Sequence, residues 1–227
     1  MIMPYKLSPS TLSLMTDCPR CFWLQFKKDI KRPEGIFPSL PSGMDRVLKI
    51  HFDSYIEKNQ LPPELIKHKV EANLFPDIQK LQVWRDYKRG LQWTDEKGNV
   101  LKGAIDTILI NNNKLIVLDY KTRGYEVKED THEHYRDQLD VYNFLLRKNN
   151  YETEDYSYLL FYHPDKVVDN VFLFHTSLVK VNVNIANAEN LFKNALALLE
   201  GPLPGLSDCE YCRYRETKIN TSLLDYN

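Results

Sequence analysis

Residues 103–121 read Gly103-Ala104-Ile105-Asp106-Thr107-Ile108-Leu109-Ile110-Asn111-Asn112-Asn113-Lys114-Leu115-Ile116-Val117-Leu118-Asp119-Tyr120-Lys121. Val100 to Ile110 and Leu115 to Lys121 are rich in Ile, Val and Leu, and the asparagine run between them signals a chain reversal. The two runs are therefore expected to pair as antiparallel strands. With the turn centred between Asn112 and Asn113, opposed residue numbers sum to 225, which sets Asp106 against Asp119. Directly opposed residues bring their Cβ atoms to roughly 4.5–5.5 Å, close enough for two carboxylates to grip one hard cation. Lys121 lies two residues beyond Asp119 and so faces the same way. A slip of one residue would turn Asp119 away from Asp106, so the reading leans on this register.

Opposed like charges destabilise a hairpin, and both aspartates interrupt apolar runs where an unpartnered charge is costly to bury. A bound cation resolves the conflict. The bland alternative is a pair of solvated aspartates at strand ends beside a surface lysine.

All four cysteines occur as two Cys-x-x-Cys pairs, Cys18-Pro19-Arg20-Cys21 and Cys209-Glu210-Tyr211-Cys212. Two residues between thiols is the spacing at which both sulfurs reach one metal, and two such pairs complete a set of four thiolates. Local disulfides, a redox dithiol or buried free thiols are the competing readings. No apolar secretory segment precedes Met15, which argues for a reducing compartment and against structural disulfides. Zinc and a four-iron four-sulfur cluster both accept four thiolates, and spacing does not separate them.

Gly103-x-x-Asp106 followed by Asp119-Tyr120-Lys121-Thr122 at the end of the next strand resembles the core of the PD-(D/E)XK nucleases. The likeness is to the RecB-like branch in particular, which includes the CRISPR-associated exonucleases with terminal cysteines. A histidine on an upstream helix fits His51, and a Gln-x-x-x-Tyr helix fits Gln138-Leu139-Asp140-Val141-Tyr142. The resemblance covers roughly residues 7 to 215. It implies a restriction-endonuclease-like α/β core and metal-dependent hydrolysis of DNA phosphodiester bonds, as an exonuclease on single-stranded or end-bearing DNA. Asp106, Asp119 and His51 would hold magnesium or manganese, with the Tyr120 backbone carbonyl as a further ligand, and Asp106, Asp119 and Lys121 would be catalytic. For the cysteines it implies a four-iron four-sulfur cluster tying the chain ends together. The usual arrangement there is one amino-terminal and three carboxy-terminal cysteines, whereas this chain carries two and two.

The same pieces have a physical account of their own. Met44, Val47, Leu48, His51 and Tyr55 recur at spacings of three and four, which places His51 on the inward stripe of an amphipathic helix. Such a histidine is usually a satisfied core residue; beside two carboxylates it becomes a candidate third metal ligand. Gln138 and Tyr142 are four apart on a helix expected from about His132 to Lys148, so they share a face. An amide and a phenol there can bond phosphate oxygens or base edges, and the ring can stack on a base, making the pair candidate DNA contacts.

Composition fits one compact catalytic domain over residues 1–227, with a cysteine-bearing lobe from 7–30 and 201–216. At 43% hydrophobic content the chain can bury a sizeable core, and no stretch approaches the roughly 18 apolar residues of a membrane span. The expectation is a cytoplasmic protein whose partner is DNA, without a membrane, within CRISPR adaptation, repair or another DNA-processing complex. Thirty basic against 31 acidic residues give no global nucleic-acid signature. Local basic runs, Lys27-Lys28-Asp29-Ile30-Lys31-Arg32 and Arg85-Asp86-Tyr87-Lys88-Arg89, could line a strand path. A non-catalytic nucleic-acid or adaptor module with a structural zinc site, and an RNA-directed nuclease, are the rival readings.

Other elements read as follows. Ser8-Pro9 opens a short helix and Pro19 restarts it. Arg32 to Pro41 is an extended connector before the His51 helix. A helix spans about Asp77 to Tyr87 and a strand Leu91 to Thr94. A second hairpin, Tyr156 to His163 and Val168 to His175, turns at Pro164-Asp165, with a further strand at Val179 to Val183. Ile185 to Glu200 is a helix that Gly201-Pro202 stops. This order suits an α/β sandwich with a mixed central sheet flanked by helices.

Overall fold

The computed structural model describes residues 4–215. In chain order the elements are β1 (Lys6–Leu7), α1 (Pro9–Asp17), α2 (Pro19–Lys28), α3 (Ser39–Glu57), α4 (Pro63–Lys67), β2 (Asn73–Leu74), α5 (Ile78–Arg85), β3 (Leu91–Thr94), β4 (Val100–Gly103), β5 (Thr107–Asn111) and β6 (Lys114–Thr122). There follow a 3-10 turn (Thr131–Tyr135), α6 (Arg136–Lys148), β7 (Tyr156–Val168), β8 (Val171–Asn182) and α7 (Ile185–Glu200). The chain divides into two compact units, one of residues up to Phe37, Thr94–Leu101 and residues from Glu189 on, the other of Pro38–Trp93 and Lys102–Ala188. Among the described residues no helix is long and apolar enough to cross a membrane.

The second unit is built on a five-stranded mixed sheet ordered β2-β5-β6-β7-β8. β5 and β6 are antiparallel with Asn111 opposite Lys114 and Thr107 opposite Leu118, so opposed numbers do sum to 225. The turn works because Asn112 and Asn113 both take positive φ, 47° and 65°. That is the twist a two-residue hairpin wants, and asparagine tolerates it better than most side chains.

Several expected boundaries change: α3 starts at Ser39, inside the expected connector, and the further strand expected at Val179 to Val183 is the end of β8. The run from Val100 to Ile110 is not one strand: it breaks after Gly103 and resumes at Thr107, which leaves Asp106 just ahead of β5. The second hairpin is longer than expected and turns at Asp169-Asn170, both at positive φ (47° and 64°), not at Pro164-Asp165. Pro164 is accommodated instead at an irregularity in the β7–β8 ladder between Pro164 and Lys166, where a missing N–H costs little.

β6 is the central strand, buried from Leu115 through Tyr120, and it pairs in parallel with β7. A parallel neighbour needs a crossover, and α6 supplies it. The helix is buried over Leu139–Leu146, including Asp140 and Asn143, whose polar groups are bonded to Asn184 and Asn187 and to Ser157. α3 packs with Phe52 against the Tyr120 ring, centroids 4.7 Å apart. Its inward stripe is Leu48, Phe52 and Ile56, while Val47 is 58% exposed, so the helix is rotated from the stripe that the sequence suggested.

Gly103, the glycine of the Gly-x-x-Asp motif, owes its identity to α6. A Cβ there would stand 2.9 Å from Leu145 Cδ1 and 3.0 Å from the Tyr142 ring. Gly103→Ala is expected to destabilise the protein by about 1–3 kcal/mol through overpacking, read as a lowered urea midpoint at unchanged m-value. An unshifted midpoint would show that α6 yields without cost.

Candidate active site and thiolate centre

In the second unit, Asp119 sits on β6 with its carboxylate 1% exposed. Leaving water raises its pKa to about 6, with the Lys121 ammonium pulling back and the nearby Asp106 charge adding to the rise. Gln138 Nε2 donates to Asp119 Oδ1 at 3.1 Å. Lys121 Nζ lies 2.6 Å from Oδ2 in a close ion pair. A buried carboxylate oxygen with spare lone pairs, next to a second carboxylate, is a donor set suited to a hard divalent cation.

Lys121 is held on three sides, by Asp119, by Gln138 Oε1 at 3.0 Å and by the Tyr135 ring with its centroid at 4.7 Å. Gln138 also donates to the Tyr142 hydroxyl at 2.7 Å. Tyr142 is only 6% exposed, and burial together with the Asp119 charge raises its phenol pKa, so it stays protonated. The Gln-x-x-x-Tyr pair thus faces the carboxylate and the lysine, and the buried ring has no face free for a base.

Asp106 is held from two directions that the sequence reading missed. Lys49 of α3 bridges its Oδ1 (2.9 Å) and Asp45 (2.8 Å). Burial alone would lower the Lys49 pKa, but the charges and hydrogen bonds of Asp106 and Asp45 together raise it. Arg85 donates from Nε to the Asp106 carbonyl oxygen at 2.6 Å, from Nη1 to Asp53 at 2.8 Å and from Nη2 to Thr107 Oγ1 at 3.3 Å. Arg85 is therefore a structural clamp and not part of a nucleic-acid path, and Arg89 in the same run pairs with Asp86 at 3.0 Å. The legible signal for Lys49 was its spacing from Asp45 and Asp53, four residues apart along one helix face.

His51 Nε2 lies 3.1 Å from both carboxylate oxygens of Glu64, which also accepts the Tyr162 hydroxyl at 3.1 Å. His51, Asp106 and Asp119 are not gathered into one tight ligand group, and Glu64 is a neighbour to which no sequence pattern pointed. The Tyr120 side chain is turned into the packing against Phe52, its hydroxyl bonded to Thr107 Oγ1, which leaves only its backbone carbonyl as a candidate ligand. A cleft of about 370 Å³ opens beside Lys121, lined also by Ser42, Asp45 and Leu48 of α3.

The first unit contains the second centre. Cys18, Cys21, Cys209 and Cys212 converge with all four sulfurs within 4.8 Å of one another. Pro19 explains half of this, since the residue before a proline is pushed out of helical geometry. Cys18 is extended (φ −155°, ψ 100°) and caps α2, its sulfur accepting the Cys21 N–H at 3.3 Å. Cys209 repeats the arrangement ahead of helical residues 210–215, accepting the Cys212 N–H at 3.4 Å. The convergence makes the four cysteines a candidate metal-binding group.

A family model described as the PD-(D/E)XK nuclease superfamily matches residues 6–217. A search among curated proteins returns no match. Among solved structures, "Crystal structure of SSO0001" aligns over 93% of this chain and 85% of that one, at 17% identity and a TM-score of 0.46.

Arg85→Met would leave Asp53, one of whose oxygens already lacks a hydrogen bond, with neither oxygen paired. The expected loss is about 3–5 kcal/mol, the usual cost of removing one partner of a largely buried pair, seen in chemical denaturation. A loss below about 1 kcal/mol would mean that the clamp does not hold the Asp106 segment.

Proposed function

The chain belongs to the PD-(D/E)XK nuclease superfamily, and from that premise we propose that it hydrolyses DNA phosphodiester bonds with a divalent metal, as an exonuclease on single-stranded or end-bearing DNA. The observation that carries the proposal is Asp119, a fully buried carboxylate with the Lys121 ammonium 2.6 Å from one oxygen and the Asp106 charge nearby. Burying one carboxylate close to another is costly, and a bound cation would offset that cost. The DNA and exonuclease parts rest on the likeness of His51 and of Gln138 with Tyr142 to the RecB-like branch.

Asp106, Asp119 and the Tyr120 carbonyl would hold magnesium or manganese, with His51 joining from α3. Bound there, the ion would supply Lewis acidity, acidifying water and offsetting negative charge on the phosphoryl oxygens. The protein's own groups do the positioning. Lys121, fixed by Gln138 and Tyr135, presents a positive charge at the edge of the cleft, where it can orient the attacking water or stabilise the developing phosphorane charge. Gln138 holds Asp119 and Lys121 at once, and Tyr142 fixes which way the Gln138 amide points. Glu64 orients the His51 ring.

Asp106→Ala and Lys121→Ala should each reduce manganese-dependent cleavage by about 10²-fold or more, with circular dichroism and DNA retention close to wild type. Single-stranded DNA, duplex DNA and RNA labelled at either end serve as substrates. Mononucleotide release from DNA, lost with chelator, is expected. Undiminished cleavage by both variants would remove these residues from the chemistry, and cleavage of RNA alone would overturn the DNA assignment.

Gln138→Ala is expected to lower kcat by about 10-fold or more with a smaller change in KM, because it loosens groups already at the site and contacts no distant part of the strand. A pure KM effect in steady-state kinetics would instead make Gln138 a substrate-binding residue.

A further inference from the structure

We infer that the four cysteines hold a single tetrahedral zinc ion and not a polynuclear iron–sulfur cluster. In a four-iron four-sulfur cube each thiolate binds a different iron at a corner, so the cysteine sulfurs stand about 6 Å or more apart. Here all four lie within 4.8 Å of one another. Cys18 and Cys212 are 3.7 Å apart, Cys21 and Cys209 3.6 Å, and Cys21 and Cys212 4.0 Å. Four sulfurs each about 2.3 Å from one central ion form a tetrahedron with edges of about 3.8 Å. Those three edges straddle that value, and the remaining ones stay within 4.8 Å. The cluster expected from the family resemblance does not fit the cage, since opening it to cube dimensions would move both Cys-x-x-Cys segments apart.

Four neutral thiols in van der Waals contact would stand at similar separations, so the surroundings decide between an ion and plain packing. Cys18, Cys21 and Cys212 are 0–2% exposed, and their neighbours are arranged as donors towards sulfur. The Ser207 hydroxyl lies 2.9 Å from the Cys18 sulfur, and the Cys21 and Cys212 N–H groups point at Cys18 and Cys209. Arg32 is anchored by Asp17 and by the Tyr211 ring, its centroid 4.6 Å away, with its guanidinium beside Cys21. Donors and a cation around buried sulfur suit four thiolates, whose charge exceeds that of one divalent ion by two. A dry thiol cluster would call for none of them.

The ion would be structural. Four protein ligands close a tetrahedral zinc and leave no position for water or substrate. It would pin residues 18–21 to 209–212, a loop of nearly the whole chain, and so bear mainly on the unfolded state. This inference concerns the first unit alone and stands whether or not the nuclease proposal does.

The test is metal analysis of the full-length protein purified anaerobically from iron-rich medium. About one zinc per chain, no acid-labile sulfide and no brown absorbance near ~400 nm are expected. Exchange into cobalt should give the red-region absorption of a tetrahedral thiolate site. Cys18→Ser and Cys209→Ser should each reduce the zinc content at least five-fold; if they prove insoluble, the cobalt spectrum of the unmutated protein carries the test. Four irons and four sulfides per chain would overturn the inference. So would a protein without stoichiometric metal whose cobalt form lacks the tetrahedral bands.

Discussion

A negative charge placed where water cannot reach it, the Asp119 carboxylate inside β6, is the constraint around which the second unit is organised. Its burial lifts the pKa to about 6, so near neutrality the folded protein carries a charge it must satisfy internally. One oxygen is given to Gln138, the other is ion-paired with Lys121, and Asp106 adds a second negative charge nearby. The crossover helix α6 then has two roles. Its apolar residues cover the sheet, and its first turns deliver the amide, the phenol behind it and, just before them, the Tyr135 ring over the lysine. Gly103 is the point at which these roles meet, because α6 reaches its seat only where the strand backbone bears no side chain.

Much of this was legible in the sequence, and for a definite reason. Hairpin register is a counting problem once the turn is located, and the asparagine pair located it, so the pairing from Asn111–Lys114 to Thr107–Leu118 could be read without coordinates, with Asp106 just outside the ladder. The second hairpin misled because Pro164-Asp165 looks like a turn, while Asp169-Asn170 is the pair that can hold two successive positive φ angles. The rule that worked for Asn112-Asn113 would have found it. Helix α7 fell at Ile185–Glu200 as expected, where a glycine and a proline end it.

Illegible were the long-range polar partners. Nothing in the local pattern says that Arg85 reaches the Asp106 backbone, that Lys49 reaches Asp106 as well as Asp45 or that Glu64 meets His51, because those contacts depend on how helices lie on the sheet and not on periodicity. The α3 stripe shows the limit of periodicity itself. Shifting the buried face by one residue, from Val47 and His51 to Leu48 and Phe52, sends His51 to the margin of the packed face, where it finds a carboxylate.

The Lys49 bridge also bears on how this site can tolerate both a folded state and a divalent cation. Two carboxylates at the head of a hairpin repel, and in this arrangement the Lys49 ammonium is the counter-charge that Asp106 has. A cation that took Asp106 Oδ1 would compete with that ion pair, so its net affinity would be its gross affinity less the value of the pair. The loss is contained because Lys49 has a second partner on its own helix: Asp45, at 2.8 Å, keeps the ammonium paired after Asp106 is given up. Asp45 is 45% exposed and so holds its charge at little desolvation cost. Under the metal proposal, an aspartate one turn before the lysine on α3, chemically remote from phosphate hydrolysis, would thereby influence how readily Asp106 exchanges a lysine for a metal.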